Sequence, residues 1–239
     1  MEGKKLRLDR FLVNAGVGSR SVVRDMIREG LITVNGMVVR DISCKVSVRD
    51  EVSIEGRRIE LAGKRYYKMY KPKGVITSTK DKDLTLFDLL VDIPRVEELF
   101  PVGRLDKDAE GLVLITNDGL LAHRLTHPKW KVRKVYEVYL ENPILVGEVD
   151  ILLRGVNLKD GPVIVEDVGI SDEGRVVRIT VTEGRYHLVK RIFSALGNRV
   201  LSLKRIAFGP IDLGGLSEGE VRELERKEIE ELYKVCELK

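Results

Sequence analysis

Apolar residues recur at helical spacing twice near the start of the chain. Leu8, Phe11, Leu12 and Ala15 fall on one face of a short helix that Gly16 and Gly18 end. Ser19 stands where it can cap a second helix over residues 20–29, with Val22, Val23, Met26 and Ile27 inward and Gly30 as the stop. The period then shortens to two. Residues 31–34 and 37–39 flank an Asn35-Gly36 turn, and residues 52–54 and 58–61 flank Glu55-Gly56, so two hairpins are expected. Residues 62–65 read as a short linker. Beyond it, strands are expected at 66–70, 112–115, 134–140, 163–168, 176–181 and 201–209. Helices are expected at 120–125, at 145–153, from about Tyr186 to a stop at Gly197, and in the charge-mixed tail after residue 217. Residues 85–90 read as a capped helical turn. The pattern predicts an α+β protein: a small N-terminal α/β domain over residues 1–62 and a strand-rich domain with interspersed helices over residues 63–239.

Composition narrows the class. With 239 residues, 43% hydrophobic and 33% charged, the chain belongs among globular proteins rather than disordered ones. No apolar run approaches the ~20 residues that span a membrane, and residues 1–11 carry no apolar signal core, so a cytoplasmic protein is expected. Cys44 and Cys236 lie far apart with no CxxC or Cys/His cluster, which reads as free thiols and no metal site. His123 and His127 have zinc spacing, but Pro128 follows at once and no Glu motif accompanies them. Glutamine is absent and charge is in excess, a composition of heat-adapted proteins. The net charge of +4 is uneven: residues 1–65 hold 14 Lys and Arg against 9 Asp and Glu, while the remainder is close to neutral. An anionic partner is therefore expected at the N-terminal domain. Arg20, Arg24 and Arg28 form a stripe there at i, i+4 and i+8. Like charges at that spacing oppose an isolated helix, so the stripe fits phosphates better than a solvated face balanced by Asp25 and Glu29.

The stretch of greatest chemical interest is GRLDKDAEGLVLITNDG, residues 103–119. Its second half is a buried strand with turn residues after it. Its first half sets Arg104, Asp106, Lys107 and Asp108 between two glycines at the mouth of that strand, where a reactive carboxylate would be held rigidly. An ordinary loop aspartate is the competing reading. Two other stretches are basic. Residues 124–134 carry Arg124, Lys129, Lys131, Arg133 and Lys134 around Trp130 with no acid, which suits RNA. Between Glu183 and Asp212 there are six Lys or Arg, among them Arg185, Lys190 and Arg191, again with no acid.

Residues 6–61, with SR, REG and VNG in order, resemble the RNA-binding domain named after small-subunit ribosomal protein S-four. Taken together, GRLDKDAEGLVLITNDG, YKMYKPKG, KVYEV and EGRYHLVKRIFSALGNRVLSLKR resemble the RsuA/RluB group of ribosomal RNA pseudouridine synthases over nearly the whole chain. The resemblance implies a catalytic domain with a mixed, mostly antiparallel sheet flanked by helices. It implies isomerisation of a uridine within RNA: the base–sugar bond breaks, the base rotates, and carbon five rejoins the sugar. It implies no cofactor and no metal, a partner that is ribosomal RNA or a pre-ribosomal particle, and a monomer. Asp106 matches the essential Asp, which acts on the target nucleotide by attack on sugar or base or by moving a sugar proton. Lys190 matches the basic residue that pairs with it. Tyr136 matches the tyrosine that stacks on the target base, and Arg104 the residue that fills the space left by the flipped nucleotide. Leu203 matches an apolar residue lining the base pocket, and Lys71, Lys73, Lys131, Arg133 and Arg185 are expected to contact RNA. Ala109, Tyr70 and Leu188 depart from the family's usual Thr or Ser, Asn and Gln. The stretches TLFDLL, PVGRLD and FGPIDLGGLSEGEVREL look closer to the large-subunit enzymes than to the small-subunit one. A non-catalytic RNA-binding assembly factor with the same fold, and a synthase acting on transfer RNA, are the alternatives.

Overall fold

A computed structural model describes residues 5–47, 49–59 and 63–238. The chain divides into two units, Met1–Arg65 with Arg95–Leu99, and Tyr66–Pro94 with Phe100–Lys239. In the first unit, helices α1 (Leu8–Asn14) and α2 (Arg20–Glu29) pack together. Ser19 caps α2 through the Val22 N–H, and Gly30 closes it at φ 80°, a left-handed turn that favours glycine. Strands β1 (Ile32–Val34), β2 (Met37–Val38), β3 (Val52–Ile54) and β4 (Arg57–Ile59) form a sheet in the order β2-β1-β3-β4. Asn35 and Gly36 both take positive φ, as the tight hairpin requires. Leu8, Phe11, Leu12, Val23, Ile27, Ile32, Val46 and Val52 make the core. Glu60 and Leu61 of the second hairpin and Ala62 of the linker lie outside the described residues.

The second unit is built on one large sheet. Its strands are β5 (Tyr66–Lys71), β6 (Glu110–Thr116), β7 (Lys134–Leu140), β8 (Asp167–Ser171), β9 (Val176–Val181), β10 (Val200–Phe208) and β11 (Val221–Glu223). The order is β8-β9-β7-β10-β6-β5-β11, with short strands Phe100–Pro101 on β6 and Ile211–Asp212 on β10. Every pairing is antiparallel except β6 with β10, which run parallel through Lys204↔Glu110 and Arg205↔Gly111. Helices α3 (Gly119–Thr126), α4 (Val146–Arg154), α5 (Leu188–Ala195) and α6 (Arg226–Val235) accompany the sheet, giving the mixed, mostly antiparallel α+β architecture. Residues 111–116 of β6 are all buried, as the unbroken apolar run requires of a central strand. Leu112 and Leu114 meet Leu121, Leu125, Phe208 and Leu232 in the core on one side.

Two expected elements differ. Residues 163–168 are not one strand: Gly161–Val163 turns back on Val156–Leu158, the Val165 N–H bonds to the Leu152 carbonyl of α4, and β8 begins only at Asp167. The apolar residues there serve two partners. Helix α5 starts at Leu188 rather than Tyr186, because His187 is left-handed at φ 50° and ends the helix on that side.

Candidate active site

Residues 103–109 form a loop that enters β6, and side chains from three other segments tie it down. The Thr77 hydroxyl donates to the Leu105 carbonyl at 2.7 Å and accepts from the Leu105 N–H at 3.2 Å. The Gly74 N–H donates to the Lys107 carbonyl at 2.7 Å, and Lys107 pairs with Asp83 at 2.5 Å. From β10, buried Arg205 donates Nε to the Leu112 carbonyl at 2.7 Å and Nη1 to the Arg104 carbonyl at 3.4 Å. Within the loop the Ala109 N–H closes a turn on the Asp106 carbonyl. The result is Asp106 held on fixed backbone with a side chain 26% exposed, reachable yet sheltered.

Helix α5 faces that loop. Lys190 Nζ donates to both Asp108 carboxylate oxygens at 2.6 and 2.7 Å and lies 3.6 Å from Asp106 Oδ2. These two short bonds hold the Asp108 carboxyl below its ordinary range. His187 Nε2 lies 3.6 Å from Asp106 Oδ1. Two connected hollows meet here. An outer cleft of about 710 Å³ is lined by Lys73, Thr77, Arg104, Asp106, Tyr186, His187 and Lys190. A narrow inner recess of about 60 Å³ is lined by Arg104, Asp106, Tyr136, Leu188 and Leu203. Tyr136 on β7 and Leu203 on β10 are buried and come from paired strands, so the recess has a fixed floor.

Among the described residues of the unit, Lys68, Lys71, Lys134 and Arg205 are buried cations, and the last three bear on the site. Lys71 is fully buried and donates to the Pro72 and Val75 carbonyls at 2.7 and 2.8 Å. Lys134 donates to the Val132 carbonyl at 2.9 Å. Burial brings both ammoniums down to about 8. Arg205 is 2% exposed, and its Nη2 has no hydrogen-bond partner among the described residues. The Phe208 ring takes Lys134 Nζ and the Arg205 guanidinium, each 5.1 Å from its centroid.

The expected site residues therefore separate. Asp106, Tyr136, Lys190, Arg104 and Leu203 converge on one site. Lys190 binds Asp108 more closely than Asp106, so the expected pair is a three-membered group. Lys71 is corrected outright: its ammonium caps its own turn from inside and cannot reach a phosphate. Arg185 lines the inner recess but is engaged by its own neighbours. It donates to Asp160, to the Gly161 and Pro162 carbonyls and to Glu183, and so braces the 160–162 turn against the site. Lys73 is half exposed, bonded to Ser202 Oγ at 2.7 Å and 3.4 Å from Glu110. Lys131 and Arg133 are exposed, the latter paired with Glu166. In the first unit Arg20, Arg24 and Arg28 are all exposed on α2. Arg24 pairs with Asp9 and Arg28 with Asp25. His123 and His127 turn their rings toward Trp130. The sequence reading missed Thr77, Asp108, Tyr186, His187 and Arg205. The last three lay in the acid-free run 184–211 and within the motif of residues 183–205, without a role being read for them, and nothing marked Thr77. Of the departures, Tyr70 bonds Glu110 at 3.0 Å, while Ala109 and Leu188 are buried without a polar group to satisfy.

Known proteins resemble this chain over nearly its whole length. Residues 65–195 match the RNA pseudouridylate synthase family and residues 6–52 match the S4 domain. An uncharacterized RNA pseudouridine synthase of Aquifex aeolicus (strain VF5) is 41% identical, covering 98% of this chain and 96% of its own. Ribosomal large subunit pseudouridine synthase B of Bacillus subtilis (strain 168) is 34% identical over 95% of each chain. Ribosomal small subunit pseudouridine synthase A of Vibrio vulnificus (strain CMCP6) is 38% identical over 96% of this chain and all of its own. A crystal structure of a pseudouridylate synthase superposes with a TM-score of 0.70 at 36% identity, over 95% of this chain and 99% of that one. With the carboxylate loop, the facing basic helix and the tyrosine-floored recess in one unit, and an S4 domain ahead of it, the chain belongs to the RNA pseudouridine synthase family, in its RsuA/RluB-type branch.

Proposed function

We propose that the protein isomerises one specific uridine of ribosomal RNA to pseudouridine, with Asp106 as the essential carboxylate. The observation that carries this is the convergence of Asp106, Lys190, Tyr136, Leu203 and Arg104 on the inner recess and the cleft above it. In this reading the target base leaves its stack and enters the recess. Tyr136 and Leu203 receive its faces, and Arg104, whose guanidinium has no side-chain partner among the described residues, fills the gap left in the RNA. Extrusion of a base costs a few kcal/mol, which the stacking and the filler offset. Lys190 and Asp108 fix the charge balance beside Asp106 while the base–sugar bond is broken and remade. The α2 arginines, Lys73 and Lys131 supply phosphate contacts. The protein works as a monomer in the cytoplasm and needs no cofactor. The ribosomal substrate is supported by the relatives, which are named for either subunit. Residues 85–90, 101–106 and 208–224 favour the large subunit's RNA.

The test is pseudouridine mapping on ribosomal RNA from a strain lacking the gene, incubated with the wild type or with Asp106→Asn. One new pseudouridine in large-subunit RNA, made by the wild type and absent with the variant, is the expected result. A product in small-subunit RNA reverses the subunit assignment. Tight binding without product, on pre-ribosomal particles as well, replaces the enzyme reading with an assembly factor.

A further inference from the structure

We infer that Tyr186 and His187 form a stacking shelf for the nucleobase next to the flipped uridine, so that the site grips a flanking nucleotide by its ring face as well as the target. The inference rests on the pseudouridine synthase reading of the site. Its first support is geometric. The two rings are stacked, with centroids 3.8 Å apart and planes 18° from parallel. His187 is held in a left-handed conformation at φ 50°, a backbone state that non-glycine residues adopt at a cost and that clusters at functional sites. One face of Tyr186 is covered by His187, yet the residue as a whole is 75% exposed, so the outer face is open. Burial gives the fold little reason to keep a tyrosine there. A base laid on that face would extend a stack that already exists, with the ring orientation fixed in advance.

Location selects the ligand. Both rings line the outer cleft and not a remote surface. His187 touches the inner recess as well, and its Nε2 is 3.6 Å from the Asp106 carboxylate. The shelf thus begins one ring's thickness from the group that acts on the target uridine. The recess is lined by Tyr136 and Leu203 and, in the reading above, takes the target base once the side chains around it part, which leaves the cleft, at about 710 Å³, to the strand that carries it. Arg104 and Lys73 line the same cleft and supply cations for the backbone. Aromatic faces accept any base, with the larger purine ring covering more of the shelf, so a flanking purine is favoured over a pyrimidine.

The experiment uses the full chain and a synthetic RNA hairpin carrying the mapped uridine, compared with hairpins made abasic at the 5′ or the 3′ neighbour. Tyr186→Ala should raise KM about tenfold, the scale of one lost base–aromatic stack, with kcat changed less than about twofold. Tyr186→Phe should behave as wild type, because the ring face and not the hydroxyl does the binding. On one of the two abasic hairpins the wild type and Tyr186→Ala should have the same KM. Equal KM values on the intact hairpin overturn the inference. So does a Tyr186→Phe defect as large as that of alanine, or a penalty that survives both abasic substitutions. If the wild type modifies no uridine, the enzyme reading fails separately. The shelf is then judged by binding to a hairpin with 2-aminopurine in its loop: quenching by the wild type and not by Tyr186→Ala supports it, and equal quenching removes it.

Discussion

At the scale of single residues, the loop that carries Asp106 is held by contacts that tolerate little change. Gly111 has φ 108°, and a Cβ there would sit 2.3 Å from the Arg205 carbonyl oxygen. Both the backbone conformation and the close approach of β6 to β10 therefore require glycine. Gly111→Ala should cost about 3 kcal/mol or more, read as a lower denaturant midpoint; an unchanged midpoint would mean that the two strands can part without loss. Thr77 is the other fastening. Thr77→Val keeps the shape but strands the Leu105 N–H and carbonyl, so stability should fall by about 1–3 kcal/mol. Its larger effect should be on turnover. A loop displaced by a fraction of an ångström misaligns Asp106, and kcat should drop roughly ten- to a hundredfold with KM little changed. A defect confined to KM would show that Thr77 does not position the carboxylate.

At the scale of elements, the α2 stripe separates by partner. Arg20 has no ion pair among the described residues, Arg24 shares Asp9 with Arg7, and Arg28 is paired with Asp25. A free surface arginine releases a counterion from RNA more readily than one that must first leave a carboxylate. Arg20→Ala should weaken RNA binding and reduce the slope of log affinity against log salt by about one, while Arg28→Ala changes it less. Salt-titrated binding of both variants decides the order, and equal slopes would mean that the internal pairs do not hold the arginines back. On α5 the same physics works inward. Lys190 is fixed by Asp108, so the helix brings a neutralised group rather than a bare cation to the site.

At the scale of the whole molecule, the buried cations make stability depend on pH in an unusual direction. Lys71 and Lys134 are lowered to about 8 by burial, whereas in the unfolded chain they keep their protons to about 10.4. Between these values the unfolded chain binds more protons, so stability rises with pH. The Cys236 thiol, pushed up to about 11 by burial, acts oppositely, because the unfolded thiol ionises first. Tyr66, raised by burial and by its bond with Tyr233, adds to that fall at higher pH. The denaturant midpoint should therefore climb from pH 8 and turn over only near about pH 10, where the thiol and phenol that ionise in the unfolded chain offset the two ammoniums. Lys71→Met should remove about half of the climb. A midpoint that falls steadily from pH 7.5 would mean that neither ammonium loses its proton on folding.

Much of this was determined by the sequence alone. The alternation of apolar residues and the turn residues Asn35-Gly36, Gly30 and Asn117-Asp118-Gly119 are local signals, and they fixed most elements because secondary structure answers to neighbours in the chain. The resemblance of the carboxylate loop, of KVYEV and of the 183–205 stretch to a known family pointed to Asp106, Tyr136 and Lys190 as candidates from sequence alone. Tertiary structure decided what depends on distant partners. Lys71 reads as a surface cation until β5 is seen between β6 and β11, with its ammonium turned onto its own loop. The division of 163–168 between two pairings depends on α4, which no window of that stretch contains. Asp108 became the closer partner of Lys190, and Arg205 the brace of the Asp106 loop, only because the parallel pairing of β6 with β10 and the packing of α5 bring residues some eighty to a hundred positions apart within hydrogen-bond reach. Periodicity along a chain carries which face a residue is on; it does not carry which charge will be waiting there.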